Sequence, residues 1–270
     1  MAIDPLSRLL LRGQGNDRGP VALMYHSVSP GGSTPAWPWS VSMRQFRNQL
    51  DCLVAEGYST ATVADLVADR TRVGHRTVVI TFDDGYVDNL AACDELRRRD
   101  MRATWFVVAG SMGQAPAWTD PGQPSGRLLS ADELRAMDAA GMQIGSHAMT
   151  HTRLTALDAD CLRHELTDSK TALEDTLGHA VTAFAYPYGA WDERCEAAVR
   201  DAGYGAACLT QTGRAMRDQN PYRLRRLSVF NRDSTSTFAR KLTFASHDVQ
   251  WPQMASYVAQ RLRTRWNRQP

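Results

Sequence analysis

Short apolar runs alternate with longer stretches of helical periodicity along nearly the whole chain. Residues 21–28 (VALMYHSV) form a mostly apolar run followed by Pro30-Gly31-Gly32, which predicts a buried strand. Over 42–58, Phe46, Leu50, Leu53 and Val54 recur at helical spacing, and Gly57 lies near the end. A short strand is expected at 60–63 and a short helix at 64–69. The clearest strand is 77–82 (TVVITF), β-branched and apolar, closed by Asp83-Asp84-Gly85. A helix over 89–99 leads to a second clear strand, 103–109 (ATWFVVA). Residues 111–127 make a long Gly/Pro loop, and loops of that length in compact domains are often functional. Ser130 opens a helix to 140, with Glu133 at capping-box spacing. Strand 142–145 runs into Ser146-His147, and helix 159–177 stops at Gly178. Strand 182–186, helix 191–202, strand 205–209 and a last strand at 224–230 follow. Helices are expected at 235–244 and 254–265.

Strands that alternate with helices imply parallel strands joined by helical crossovers. Seven or eight strands in this length favour an α/β fold whose sheet closes, or nearly closes, into a TIM-like barrel. Active sites of such barrels sit at the C-terminal strand ends. The expected division is an N-terminal extension (1–20), a catalytic barrel (21–233) and a C-terminal helical segment (234–270).

Composition narrows the function classes. The chain is 43% hydrophobic and 22% charged, which suits a globular fold. Its 31 basic and 29 acidic residues leave a net charge of +2, no electrostatic reason to expect nucleic acid. The five cysteines, Cys52, Cys93, Cys161, Cys195 and Cys208, are odd in number and too far apart in sequence for a metal clip. They read as reduced, mostly buried thiols. No run approaches the roughly 18 apolar residues of a membrane span. Leu9-Leu10-Leu11 is too short for a secretory h-region, so a cytoplasmic location is expected. Arg261, Arg263, Arg265 and Arg268 near Leu262 and Trp266 read first as a solvated helix face, with peripheral membrane contact as the alternative.

Two clusters carry chemistry. Adjacent Asp83 and Asp84 after an apolar strand point in different directions, so one can bind a metal while the other faces substrate. An ordinary Asp-Gly turn is the alternative. His147 and His151, four apart, can share a metal. Each cluster alone is ambiguous. Together, two imidazoles and a carboxylate at one barrel end make a three-ligand site with open positions, as a catalytic metal requires.

Thr81-Phe82-Asp83-Asp84-Gly85, Ser146-His147-x-x-x-His151 and Tyr186-Pro187-Tyr188-Gly189 resemble the first three motifs of the polysaccharide deacetylase (NodB-homology) family, in the family's order. The resemblance spans about residues 21–230. It implies a distorted (β/α) barrel and metal-dependent hydrolysis of an acetamido group on a sugar or glycan. It further implies that Asp83 is the general base and that Asp84, His147 and His151 hold one divalent ion, zinc by preference, with cobalt, nickel or iron as alternatives. The oxyanion falls to the backbone N–H of Tyr188. Leu23-Met24-Tyr25-His26-Ser27-Val28 resembles the start of the poly-N-acetylglucosamine deacetylase branch, in which the histidine after the first strand is the general acid, here His26. By position, His75 lies at the wrong end of its strand, His164 and His179 belong to a helix, and His247 falls in the expected helical tail.

The family's third motif begins with an arginine two residues before the proline. That position is Ala185 here; Leu224-Arg225-Arg226-Leu227-Ser228-Val229 resembles a late segment of the same branch, which makes Arg226 the candidate replacement, with both arginines as surface charges the alternative. Trp37, Trp39, Trp118, Tyr188 and Trp191 could form a sugar platform, with loop anchoring as the alternative for the tryptophans of the loops. Trp105, inside a strand, reads as core. Two other functions remain open at this level. One is a related C–N hydrolase acting on a formamide, a cyclic imide or a lipid-linked amino sugar. The other is a non-catalytic carbohydrate-binding protein. Nothing in the sequence sets the oligomeric state.

Overall fold

The structure is a computed structural model, and it describes residues 3–13, 19–68, 73–74 and 76–250. The helix expected at 254–265, with its arginines, and His75 lie outside the described residues. Ten strands and eight α-helices occur among those described. In chain order they are α1 (Pro5–Arg12), β1 (Val21–Tyr25), β2 (Ser27–Ser29), β3 (Ser40–Ser42), α2 (Met43–Ala55), β4 (Ser59–Ala61), α3 (Val63–Ala68), β5 (Thr77–Phe82) and α4 (Asn89–Arg97). There follow β6 (Thr104–Val107), α5 (Ala131–Ala139), β7 (Gln143–Ser146), α6 (Ala159–Leu177), β8 (Ala183–Ala185), α7 (Glu193–Asp201), β9 (Ala206–Cys208), β10 (Leu227–Ser228) and α8 (Thr235–Phe244).

Eight strands form one parallel sheet in the order β10-β1-β5-β6-β7-β8-β9, with β4 on the lower part of β5. A bridge from Cys208 to Leu224 carries the chain from β9 back toward β10, so the sheet curls into a distorted barrel. Parallel strands covered on both faces read as unbroken apolar runs, and all six residues of β5 are buried.

Side chains alternate between two cores. Leu23, Tyr25, Val78, Ile80, Phe82, Trp105 and Ile144 face the surrounding helices. Ala22, Val79, Phe106, Ala183, Ala185, Ala206 and Cys208 pack together in a second cluster inside the barrel. That interior is built mostly of small residues. At Gly145 any Cβ would meet the Phe106 ring and the Ala183 carbonyl at 2.8 Å, so glycine lets Phe106 plug the barrel.

Three expectations change. The run 21–28 is not one strand: it breaks at His26, and β2 leaves the sheet to pair with β3. Side-chain bonds stabilise the break, as Ser27 Oγ donates to Asp88 Oδ2 at 2.5 Å and Asn89 Nδ2 donates to the His26 carbonyl at 2.9 Å. Of the strand expected at 224–230, only Leu227–Ser228 form a strand, and Leu224 makes an isolated bridge to Cys208. His247 is not helical, because Ala245 turns left-handed (φ 49°) and ends α8.

Trp105 is core, stacked on Phe82 at 4.5 Å. α1 packs against α8, with Ile3 and Leu11 buried and Arg240 Nη1 donating to Ser7 Oγ at 2.9 Å. All five cysteines are free thiols, four buried and Cys161 exposed. Among the described residues no helix is long and apolar enough to cross a membrane.

Candidate active site

The period-two alternation that lines the barrel also aims the site. Counting upward by twos, Ala22 and Met24 lead to His26, Val79 and Thr81 to Asp83, and Gly145 to His147. All three strands point their C-terminal ends the same way, so these side chains meet at one mouth.

Asp84, His147 and His151 come together there, buried, with one ligand atom from each within 4.8 Å of the others. Asp84 Oδ1 lies 3.5 Å from His147 Nε2 and 3.3 Å from His151 Nε2. Neither approach has hydrogen-bond geometry, and Asp84 Oδ1 is buried without a donor. His147 Nδ1 lies 2.8 Å from the carbonyl of Ala185. A carbonyl can only accept, so Nδ1 carries the proton and Nε2 is left bare, as a ligand nitrogen must be. Burial holds the His147 imidazole down to about 4, so it is neutral near pH 7. Burial raises the Asp84 carboxyl, but nearby His151, His26 and His147 more than offset this and hold it below the ordinary carboxylate range. Three residues here sit in left-handed backbone: Asp84 (φ 70°), His151 (φ 61°) and Tyr188 (φ 58°). Such conformations cost roughly 1–3 kcal/mol each and cluster at functional sites.

Asp83 faces Arg226. Nη1 lies 2.5 Å from Oδ1 and Nη2 2.8 Å from Oδ2, while Nη1 also donates to Thr81 Oγ1 and Nε to the Leu209 carbonyl, each at 3.0 Å. Arg226 is fully buried, with its guanidinium 5.4 Å from the Phe106 ring. Burial raises the Asp83 carboxyl, but the Arg226 charge, with His147 and His26 nearby, outweighs it and keeps the group ionised. At position 185 a methyl group takes part in the small-residue lining, and the Ala185 carbonyl serves His147.

His26 stands at the top of β1, half-buried, with its Nδ1 unpartnered among the described residues. Its ring packs 5.8 Å from Trp37 and 5.1 Å from Trp39. His247 lies on the far side of Phe230, 6.3 Å from it, and its Nε2 accepts the Ser228 N–H at 2.9 Å. That lone pair is committed to the backbone.

The tryptophans separate. Trp37 is buried and donates Nε1 to Asp120 at 2.7 Å, which makes it a loop anchor. Trp118 lies over His151 at 4.2 Å, and Tyr188 packs on the same imidazole at 4.5 Å. Trp191, half-buried, lies 4.5 Å from the Arg223 guanidinium. Sequence reasoning missed Asn89, which ties the His26 carbonyl to Trp105 Nε1, and the clasp of Trp118 and Tyr188 on His151. The only local signal for Asn89 was a polar residue opening an otherwise buried helix face.

An ionised carboxylate stands beside a buried Asp-His-His cluster at the C-terminal mouth of a parallel barrel, an arrangement whose chemistry suits metal-assisted hydrolysis. A family model described as "Polysaccharide deacetylase" matches residues 70–207. A Bacillus subtilis (strain 168) protein named "Putative polysaccharide deacetylase YxkH" is 30% identical over 220 residues, which cover 80% of this chain and 73% of that protein. The chitooligosaccharide deacetylase of Rhizobium leguminosarum bv. trifolii is 25% identical over 134 residues, 49% of this chain and 55% of its own. The Streptococcus pyogenes deacetylase PplD, solved in complex with acetate, shares the fold with a TM-score of 0.72 at 23% identity, covering 84% of this chain and 99% of that one. The chain belongs to the polysaccharide deacetylase family and is an enzyme of the carbohydrate N-deacetylase class.

Proposed function

We propose that this enzyme removes N-acetyl groups from an N-acetylglucosamine-type glycan, releasing acetate, with one divalent ion held by Asp84, His147 and His151. The observation that carries the reading is Asp84 Oδ1, a buried, ionised oxygen without a donor that faces two imidazole nitrogens. Such an atom is costly unless a cation completes it. One carboxylate and two imidazoles suit Zn²⁺, and also Co²⁺, Ni²⁺ or Fe²⁺, and leave positions open. When bound, the ion supplies Lewis-acid polarisation of the acetamido carbonyl and acidifies water.

The chain's own groups do the rest. Asp83, ionised and oriented by Arg226, accepts a proton from the attacking water. Each of its oxygens keeps a lone pair beyond the one facing the arginine. The Tyr188 N–H is assigned to the developing oxyanion. His26, close enough to lower both carboxylates, protonates the departing amine. The position of His26 at the top of β1 supports the poly-N-acetylglucosamine deacetylase-like branch, and the relative named for chitooligosaccharides supports a glycan substrate. Acetate release from a panel of N-acetylated glycans, with the protein loaded in turn with Zn²⁺, Co²⁺ or Ni²⁺, tests the reading. Release from none of them, with metal demonstrably bound, would remove it.

A further inference from the structure

We propose that the glycan is acidic, and that Arg153 and Arg232 receive carboxylate or phosphate groups on the sugars flanking the one deacetylated. This rests on the deacetylase reading above and names its substrate class.

Two ledges lead away from the site, each from a histidine through aromatic rings to an arginine. On one side His151 packs on Tyr188 at 4.5 Å, and the Arg153 guanidinium lies 4.6 Å from the Tyr188 ring. On the other, His26 packs on Trp39 at 5.1 Å and Trp39 on Phe230 at 4.9 Å, and the Arg232 guanidinium lies 4.9 Å from the Phe230 ring. The first ledge is built on the loops after β7 and β8, the second on those after β1 and β10. Sheet order puts these pairs on opposite sides of the barrel mouth. Tyr188 is 47% exposed and Trp39 is half-buried, so each ledge has open apolar surface for the C–H face of a pyranose.

Both arginines are exposed, and neither guanidinium has a hydrogen bond or an ion pair among the described residues. The nearby carboxylates are committed elsewhere. Asp233 takes Lys241 Nζ at 2.5 Å, Glu165 accepts the Met149 and Thr150 N–H groups at 2.9 Å, and Asp120 holds Trp37 Nε1. Exposed arginines are common on any surface. These two differ in that each lies over a ring whose contacts lead back to a site histidine, directly for Tyr188 and through Trp39 for Phe230. A guanidinium held over a ring keeps its N–H donors free to fork onto a carboxylate or a phosphate.

The test compares three tetrasaccharides of N-acetylglucosamine, using the metal-loaded full chain. One is unmodified. One has the primary hydroxyls of the flanking sugars oxidised to carboxylates, and one has those hydroxyls phosphorylated. For at least one acidic substrate, kcat/KM should exceed the neutral value by about 3–10-fold, since exposed charge pairs are worth about that much, and the advantage should shrink with added salt. The two acidic arms tell carboxylate from phosphate. Arg153→Gln and Arg232→Gln should each lower the acidic-to-neutral ratio by roughly threefold, mainly through KM, and Arg→Lys should retain part of it. A wild-type ratio at or below one, or a ratio unmoved by both Gln variants, overturns the inference while leaving deacetylation intact. No acetate from any of the three overturns the deacetylase reading, and this inference with it.

Discussion

Arg226 and Asp83, 143 residues apart in sequence, meet in a bidentate, fully buried ion pair with contacts of 2.5 and 2.8 Å. The arginine starts just before β10, low in the barrel, and reaches up past Thr81 to the mouth. Ala183, Ala185, Ala206 and Cys208 leave it the room. The arginine thus enters beside β1, and the carboxylate it grips is the proposed base.

Asp83→Asn should keep the metal and lose about 10²–10⁴-fold in turnover, the range typical of general base catalysis, because an amide cannot accept the proton. Arg226→Met should do more. It strands a buried carboxylate, and breaking such a pair costs about 3–5 kcal/mol. Urea denaturation should show that loss in Arg226→Met and only part of it in Arg226→Lys. Near-wild-type turnover in Asp83→Asn with full metal would reassign the base.

His147→Ala and His151→Ala should each lose bound metal and activity together, read by elemental analysis beside acetate release. Removal of one of three protein ligands leaves too few donors to hold the ion. Full occupancy in either variant would take that histidine out of the ligand set.

His26→Ala should bind metal normally and lose about 10²-fold or more on an acetamido sugar. An activated aryl acetate, whose leaving group needs no proton, should be far less affected. Equal loss on both substrates would show that His26 does not act on the leaving group.

Glu95 ties α2 to α4. It is buried, and it accepts from Arg47 at 2.6 Å and from Arg98 and Arg99 at 2.7 Å. Hydrogen bonding to Arg47 is the main reason its carboxyl is held down to about 2, against a usual 4.5. A carboxyl lowered on folding adds stability above its unfolded pKa and loses it as pH falls toward the folded one. Glu95→Gln should therefore destabilise by about 1–2 kcal/mol at pH 7, kept small because two of its arginines are half-exposed to solvent. The gap from wild type should narrow between about pH 4.5 and pH 2. A gap constant across that window would show that the charge of Glu95 contributes nothing.

Much of this protein is written locally. Alternating apolar runs and helical periods specify a parallel α/β barrel, because side-chain direction repeats every two residues in a strand and every 3.6 in a helix. The capping box at Ser130 and Glu133 opens α5 as its spacing implies. The same period of two carries Asp83, His147 and His26 to one mouth, so their proximity follows from strand ends alone. What no local pattern holds is pairing between distant segments. The break at His26 depends on Asp88 and Asn89, some sixty residues on. Whether a tryptophan is buried as a loop anchor, as Trp37 is, or half-buried beside a site histidine, as Trp39 and Trp118 are, depends on which loop crosses it. The place of His247 depends on a left-handed Ala245 and on the Ser228 N–H. Sequence by itself determined most strands of the barrel, their parallel direction and the cluster of acids and histidines at their ends. Tertiary structure alone decided that Arg226 grips Asp83, because a guanidinium finds its carboxylate only once the sheet has curled enough to bring β10 beside β1.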